Sequence, residues 1–254
     1  MKFITSPKKL QQAIEAVQVK GKSLTSKGFG SSSMGDYIFL RLQGNELTVC
    51  NGSAIFLAKV NVTVVGNENG EGILDASTML PYLKNFKEAI TFTSGDFFHI
   101  VCGNRKASIP RVVNHPTMGA ITRLLEMTSE VSFQEEPTVL PKFGKHQYEG
   151  AFVISGGDFS DCMKSCELVK SGVYRIDFDK EKVQISSQQT VQNRYTETIT
   201  PNHVLGEAAT LEYTGPLHNF FDKDSNLIFF VKDEFPLLIV AEDRLILKAP
   251  QTGE

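Results

Sequence analysis

Cysteine is scarce in this sequence, and its spacing is not that of a disulfide framework or a zinc site. The 254 residues include four cysteines, Cys50, Cys102, Cys162 and Cys166, and no CxxC pair. Disulfide frameworks and zinc sites usually show paired spacings, so we expect reduced thiols packed in the core. Cys162 and Cys166 lie four residues apart, as two metal ligands on one helix face would, but no histidine or second cysteine pair nearby completes a site.

Long apolar runs are absent as well. No stretch approaches the roughly 20 residues of a membrane helix, and the start MKFITSPKK lacks the apolar segment of a signal peptide. We therefore expect an intracellular protein, in the cytoplasm or nucleoid or in a host cell if it is viral, with no membrane partner.

Catalytic motifs are missing too. The five histidines are scattered, and the sequence has no HExxH, no GxSxG and no phosphate-binding Gly-Lys-Ser/Thr loop. The segment from Gly28 to Gly35 is rich in Gly and Ser but lacks a following Lys, which is typical of a flexible loop. The sequence predicts a protein that is not an enzyme and that uses no catalytic residues, cofactor or metal.

Positive charge is in slight deficit. Lys and Arg total 26 against 29 Asp and Glu, which gives a formal net charge of −3. Because phosphate binding usually accompanies a basic balance, this argues against a nucleic-acid partner unless positive charge is concentrated on one surface. The composition, 41% hydrophobic and 22% charged, is that of a globular protein with one large or two medium domains.

What the sequence does contain is an internal repeat. Each copy opens with a short strand that leads into a helix with apolar residues at i, i+3, i+4 and i+7. The two openings are Phe3-Ile4-Thr5-Ser6 with Leu10, Ala13, Ile14 and Val17, and Phe152-Val153-Ile154-Ser155 with Phe159, Cys162, Met163 and Cys166.

Both copies continue with three strands, a further strand that runs into a second helix, and three closing strands. The first copy has strands at Tyr37 to Leu42, Glu46 to Cys50 and Ala54 to Val65, a helix with Leu80, Leu83 and Phe86, and closing strands at Ile90 to Phe92, Phe97 to Val101 and Arg105 to Val112. The second has strands at Val173 to Phe178, Lys182 to Ser186 and Val191 to Ile199, a helix with Leu217, Phe220 and Phe221, and closing strands at Leu227 to Val231, Leu237 to Val240 and Arg244 to Lys248. The pattern predicts an α+β fold of two tandem (βαβββ)2 domains, with both helices of each domain on one face of antiparallel sheets.

A connector separates the copies. Turn and loop residues dominate from Asn114 to Tyr148, with a short helix at Ile121 to Met127 and a short strand at Val131 to Phe133. We therefore predict a first domain over residues 1–115, a connector over 116–148 and a second domain with a short tail over 149–254.

Two such domains joined by a long connector resemble the DNA sliding clamps, in particular the two-domain clamps of the proliferating cell nuclear antigen type. The most specific resemblance lies at the C-terminus, in Leu217 to Phe221, Glu234 to Val240 and Leu247 to Pro250. The first domain is similar to bacterial and phage clamp domains as well. Asn114 to Ser129 has no counterpart in the nuclear clamps, and Lys20 to Gly35 is longer than expected.

The resemblance implies a polymerase processivity factor that encircles duplex DNA without reading its sequence. Its helices would line the inner face of the ring and its sheets would form the outside. The implied partners are the chain itself in a homotrimer, double-stranded DNA, a DNA polymerase and a clamp loader. Two alternatives remain: a subunit of an accessory or checkpoint hetero-oligomeric clamp, and a phage clamp that also couples to transcription.

The polar helix faces supply candidate DNA contacts. A clamp needs positive charge facing the DNA and little base-edge chemistry. The candidates are Lys8, Lys9, Gln12, Lys20, Lys22, Lys84, Lys87 and Lys164. The competing interpretation is that these are ordinary solvated side chains on amphipathic helices.

In the family, partner proteins insert a short peptide with apolar anchors into a pocket between the connector and the C-terminal domain. The matching positions are Leu40, Val139, Leu140, Pro141, Pro236, Leu237, Leu247, Ala249 and Pro250. The alternative is that these residues close the core and that the prolines end strands.

The resemblance implies that the ring closes by edge-strand pairing between the last strand of the first domain and an early strand of the second. The resemblance places this subunit interface at Arg105, Ser108, Ile109, Val112, Tyr174 and Ile176. An unpaired strand edge otherwise invites aggregation, which gives this use a physical motive.

Overall fold

The computed structural model describes residues 1–18, 36–215 and 217–251. The described residues form two compact units, with 1–18 and 36–122 in the first and those from 123 onward in the second. The predicted contacts Lys20 and Lys22, and the whole of the Lys20 to Gly35 segment, lie outside the described residues. No helix in the described ranges is long and apolar enough to cross a membrane.

The first unit contains nine strands and two complete helices in the part of the chain that is described. The strands are β1 (Lys2–Thr5), β2 (Tyr37–Gln43), β3 (Glu46–Ser53), β4 (Phe56–Thr63), β5 (Val65–Glu68), β6 (Gly70–Asp75), β7 (Ile90–Ser94), β8 (Phe97–Cys102) and β9 (Arg105–Pro110). The helices are α1 (Pro7–Val17) and α2 (Ala76–Asn85). Helix α3 (Met118–Met127) spans the boundary between the units.

The second unit repeats this plan. Its strands are β10 (Lys142–Phe143), β11 (His146–Gln147), β12 (Gly150–Ser155), β13 (Val173–Phe178), β14 (Val183–Gln188), β15 (Arg194–Ile199), β16 (His203–Gly206), β17 (Ala209–Thr214), β18 (Asn226–Val231), β19 (Leu237–Val240) and β20 (Arg244–Lys248). Its long helix is α4 (Gly156–Glu167), and a single 3-10 turn covers His218–Phe220.

Strand order shows the duplication directly. In the first unit five antiparallel strands run β5-β1-β7-β8-β9, and four run β6-β2-β3-β4. In the second unit the equivalent strands run β16-β12-β18-β19-β20 and β17-β13-β14-β15. The predicted α+β class and tandem repeat are confirmed.

The same aromatic pair sits at the centre of each unit. Phe3 on β1 stacks on Phe92 of β7 with ring centroids 4.8 Å apart. At the equivalent positions, Phe152 on β12 stacks on Phe229 of β18, also at 4.8 Å. All four side chains are fully buried, because inward-facing residues on neighbouring antiparallel strands meet directly.

Local signals place the helices. Helix α1 begins with Pro7 at its first turn, a position where the missing N–H is not needed. Asp75 caps α2 by accepting a hydrogen bond from the Ser77 amide, and Ser155 caps α4 by accepting one from the Asp158 amide. The apolar stripes of α1 and α4 are buried as predicted.

The predicted second helix of the second copy is wrong: only one 3-10 turn forms there. Leu217, Phe220 and Phe221 are all buried, as the helical spacing required, but a single turn satisfies the same spacing. The Arg244 guanidinium donates to the Phe220 carbonyl at 2.9 Å and pairs with Asp222 at 2.9 Å. This side chain takes up a carbonyl that a longer helix would need.

Three smaller predictions also change. The strand expected over Ala54 to Val65 is split into β4 and β5, and β15 begins at Arg194 rather than Val191. The short helix near Ile121 is confirmed as α3, whereas Val131 to Phe133 forms no strand. The connector instead contains the β10–β11 hairpin, whose two strands were too short to show alternation.

The stacked core gives a direct stability prediction. Replacing Phe92 by Ala should lower the free energy of unfolding by about 3–5 kcal/mol, because a buried ring is lost and a cavity remains. Phe97→Ala on β8 is the matched control, since that ring is 48% exposed and its loss should cost less than about 1 kcal/mol. Urea denaturation followed by circular dichroism measures both, and equal losses would contradict the assigned core.

Candidate DNA-facing and partner-binding surfaces

Helices α1 and α2 pack side by side in the first unit, and α1 also contacts β3 and β4. Because Leu10, Ala13, Ile14 and Val17 turn inward, the opposite side of α1 exposes Lys8, Lys9 and Gln12. On α2 and just beyond it, Lys84 and Lys87 are exposed. The structure therefore brings the described lysine candidates of the first unit onto a pair of packed helices.

One acidic residue interrupts this positive surface. Glu15 on α1 pairs with Lys84 of α2, with 3.3 Å between Oε1 and Nζ, and it also accepts hydrogen bonds from Gln11. An exposed pair of this kind adds little stability, but it offsets the charge of Lys84. Uncompensated positive charge on α1 therefore concentrates at Lys8 and Lys9.

The helix surface of the second unit is mixed in sign. Asp161 on α4 pairs with Lys164 at 3.5 Å and with Lys223 at 2.7 Å. The hydrogen bond and charge of Lys223, followed by the charge of Lys164, lower the pKa of Asp161 and keep it anionic. Lys164 is thus exposed, but its charge is offset by the ion pair with Asp161. The helix surface of the first unit is the more positive of the two.

His218 does not lie on this surface. Its side chain is buried in the 3-10 turn, and its Nδ1 atom has no hydrogen-bond partner among the described residues. Burial, together with the charges of Lys164 and Lys223, lowers its pKa to about 4. His218 is therefore neutral at physiological pH and cannot serve as a phosphate contact.

Three hydrogen bonds fix the connector around the predicted peptide pocket, two to the rest of the second unit and one within the connector itself. His203 Nε2 donates to the Pro137 carbonyl at 3.0 Å, and Gln147 Nε2 donates to the Leu140 carbonyl at 3.0 Å. The Tyr148 hydroxyl donates to the Pro236 carbonyl at 2.9 Å. These bonds hold the apolar stretch Val139 to Pro141 on one side and Pro236 on the other.

The Leu140 side chain packs against Gly206, where a larger residue would not fit. Gly206 has a left-handed φ of 81°, and a Cβ atom there would lie 3.1 Å from Leu140 Cδ1, tighter than ordinary contact. Leu140 and Pro141 are half-buried and Val139 is 68% exposed. These three residues present an apolar surface of the kind that receives anchor side chains.

An aromatic cluster that the sequence did not reveal braces this region. The Phe235 ring is approached edge-on by Phe143 and His146 of the hairpin at 5.9 Å each and by Tyr148 at 5.2 Å. Residue Gly144, with φ 64°, makes the tight two-residue turn between Phe143 and His146. That aromatic-Gly-Lys-His pattern was the only signal for the hairpin.

Three predicted pocket residues belong to the core instead of the accessible surface. Leu40, Leu237 and Leu247 are at most 3% exposed on their strands, so the packing alternative describes their side chains. Pro236, Ala249 and Pro250 remain half-buried. Pro250 lines a shallow cleft with Leu211, Glu212 and Glu234, and the Gln251 amide donates to the Glu212 carbonyl beside it.

The predicted interface strand β9 has a free side. It pairs with β8 and with no other strand in the described ranges. Arg105 and Ser108 are exposed, but Ile109 is buried in the core. Val112 lies beyond the end of the strand, and its amide donates to the Ile73 carbonyl at 3.1 Å. This amide is therefore not available for pairing at the free edge of β9.

The second interface strand was assigned wrongly. Strand β13, which carries Tyr174 and Ile176, is hydrogen-bonded to β14 on one side and to β17 on the other. Both side chains are also buried, so this strand offers no edge. One end strand of this sheet is β15, which pairs with β14 alone among the described strands. The other is β17, where the Glu212 carbonyl accepts a hydrogen bond from the Gln251 amide.

The cysteines are packed as the repeat implied. All four are buried thiols, and burial raises the pKa of Cys50 to about 12. The hydrogen bond to Cys166 and burial raise the pKa of Cys162 as well. In the described ranges no three His, Cys, Asp or Glu side chains are grouped closely enough to hold a metal ion.

No protein-family model matches the sequence, and no curated protein sequence matches it. Solved structures do match the fold. The DNA polymerase III beta subunit of Thermotoga maritima superimposes with a TM-score of 0.72 at 14% identity, over 100% of this chain and 66% of that chain. The PCNA of A. fulgidus, solved with the C-terminal region of FEN-1, gives a TM-score of 0.69 at 10% identity, over 100% and 99%.

The chain has the DNA sliding clamp fold.

A third clamp, that of Helicobacter pylori bound to a DNA ligase peptide, gives a TM-score of 0.67 at 13% identity, over 100% of this chain and 67% of that one. The chain thus spans about two thirds of the bacterial clamp subunits and nearly the full length of the A. fulgidus clamp. The resemblance seen in the sequence is confirmed at the level of fold, including the duplicated halves.

The charge distribution on α1 and α2 predicts a local effect on DNA affinity, if these helices face DNA as the sequence led us to expect. Lys8→Glu with Lys9→Glu should weaken binding to a 40-base-pair duplex and lower the slope of log K against log salt by about 2, since two phosphate contacts are lost. Glu15→Gln should strengthen binding because it releases Lys84. Fluorescence anisotropy over a salt series measures both.

Lys180→Glu with Lys182→Glu provides the matched charge change on the exposed turn between β13 and β14. That variant should retain the wild-type salt slope. Equal losses in the helix and turn variants would mean that the duplex responds to net charge and not to the helix surface.

Proposed function

We propose that this chain is a subunit of a DNA sliding clamp that encircles duplex DNA and tethers replication proteins to it. The observation that carries the proposal is the match of both duplicated units, in one superposition, to nearly the whole of the A. fulgidus clamp. The exposed Lys8 and Lys9 on α1 support it, because a clamp needs phosphate attraction and no base reading.

The DNA contacts are electrostatic and mobile. Lysines on flexible stems keep their water shells and track the backbone, so the duplex slides while remaining attracted. In this proposal Lys8, Lys9, Gln12, Lys84 and Lys87 of the first unit supply most of the attraction, with Lys164 of the second. The net charge of −3 is no obstacle, because Lys8 and Lys9 are exposed on α1 and form no ion pair among the described residues.

Ring closure uses three subunits in this proposal, since a chain of two clamp units forms too short an arc to surround a duplex. The joints in this proposal are one end strand from each unit, β9 and β15, each of which is paired on one side only, and antiparallel pairing between them in neighbouring copies would remove both exposed edges. A head-to-tail contact of this kind closes into a ring.

Partner proteins bind through short peptides in this proposal. The A. fulgidus clamp was solved with the C-terminal region of FEN-1 and the H. pylori clamp with a DNA ligase peptide. Here the exposed Val139 and the half-buried Leu140 and Pro141, linked to Pro236 through the hydrogen bonds of Tyr148, supply the matching surface. A DNA polymerase and a clamp loader are the partners such a surface would serve.

The β8–β9 register identifies a variant that tests the joint. A two-residue turn makes Cys102 and Arg105 the hydrogen-bonded closing pair, so alternate residues from Lys106 onward direct their N–H groups away from β8. Pro110, which has no N–H, occupies one of these outward positions, as the register requires. Ser108 occupies another.

Ser108→Pro should therefore reduce the proposed trimer to monomers at micromolar concentration, because one outward donor is lost. Ser108→Ala keeps the donor and should keep the trimer. Multi-angle light scattering gives the mass, and circular dichroism verifies that both variants fold. A wild-type chain that is strictly monomeric, or a trimer unaffected by Ser108→Pro, would contradict the proposed ring joint.

A further inference from the structure

The connector carries its charges in a fixed order along the chain. Exposed Glu135 and Glu136 precede the apolar stretch Val139 to Pro141, and exposed Lys142 and Lys145 follow it. Charges that flank an apolar binding surface contribute selectivity by matching or repelling the charges of a partner.

The two lysines are held on a built element. Lys142 directly follows Pro141 and pairs in register with Gln147, whose side chain bonds back to the Leu140 carbonyl. The Tyr148 amide donates to the Pro141 carbonyl at 3.1 Å. The hairpin thus folds back on the apolar residues, and its position is fixed by the edge contacts of Phe143 and His146 with Phe235.

The same two lysines have no anionic partner among the described residues. The nearby Glu149 is occupied by Lys232, which forms a short ion pair with it and lies over the Phe235 ring. Other exposed lysines of this unit, such as Lys164, Lys180, Lys182 and Lys223, each pair with a neighbouring carboxylate. The hairpin therefore presents free positive charge directly beside the apolar surface.

We infer that the β10–β11 hairpin is a selectivity element for partner peptides that carry acidic residues next to their apolar anchors. The inference rests on the proposed function of Val139 to Pro141 as the anchor surface and adds the chemistry of the flank. Lys142 and Lys145 form ion pairs with the acidic flank, while Leu140 and Pro141 receive the anchor. Glu135 and Glu136, which precede the anchor stretch along the chain, repel an acidic flank placed beside them, so the bound peptide has a preferred direction.

The probes are synthetic decapeptides with one Leu-Phe anchor pair. Two Asp, two Asn or two Lys residues are placed either before or after the anchor. Isothermal titration with the full chain should show that the Asp peptide binds more tightly than the Asn peptide, by about five-fold, in one of the two flank positions only. The Lys peptide should bind least well in that position. The difference should disappear at about 1 M salt, where the Debye length falls to about 3 Å.

Variants of the hairpin test whether its two lysines cause the flank preference. Lys142→Glu with Lys145→Glu should reverse the preference, so that the Lys peptide binds best, and should leave the Asn peptide unchanged. The matched control, Lys170→Glu with Lys182→Glu, makes the same charge change on exposed lysines of this unit outside the connector and should keep the wild-type order. Leu140→Ala should weaken all the peptides alike.

The outcomes separate the two proposals. If the peptides bind, respond to Leu140→Ala and show no flank preference, the selectivity role of the hairpin is wrong and the anchor surface stands. If no peptide binds, the anchor surface fails and the inference falls with it. A hairpin variant that weakens duplex DNA binding while peptide order is unchanged would assign the lysines to DNA instead.

Discussion

The burial of one face of a five-stranded antiparallel sheet is the constraint on which the rest of each unit depends. The inward rows of β1 and β7, and of β12 and β18, meet in the stacked pairs Phe3–Phe92 and Phe152–Phe229. Because these rings are large and fully buried, the strand register cannot slip by one residue without exposing them. The register in turn determines which strand ends each sheet and which helix side chains remain in water.

The packing determines which helix positions face solvent, but not which charges occupy them. The apolar stripe of α1 is committed to the core, so Lys8 and Lys9 face solvent, whereas on α4 the same geometry exposes Asp161 beside Lys164. The two units therefore share a backbone plan and differ in surface charge. A chain with a net charge of −3 can present a positive helix surface in one unit, because surface charge is not constrained by the core.

The apolar periodicity of the sequence predicts most of the helices and strands of the fold. The stripes Leu10 to Val17 and Phe159 to Cys166 and the two aromatic opening strands are strong local patterns, and the structure confirms them. The failures concern features that no local pattern records. In place of the helix expected around Leu217 there is a single 3-10 turn, and its Phe220 carbonyl accepts a hydrogen bond from Arg244, which is remote in sequence. The edge assigned to Tyr174 and Ile176 is internal, since alternation shows that a strand exists but not which neighbours it has. The aromatic contacts of Phe235 and the ion pair of Glu15 depend on tertiary structure in the same way.

The central claim is that the chain acts by surrounding DNA, and topological trapping measures this directly. Protein assembled by its loader on a nicked circular duplex should remain bound through gel filtration at high salt, and should be lost when one restriction cut makes the same DNA linear. Retention that is equal on circular and linear DNA, or that disappears with salt on both, would show adhesion to the duplex and would contradict a ring.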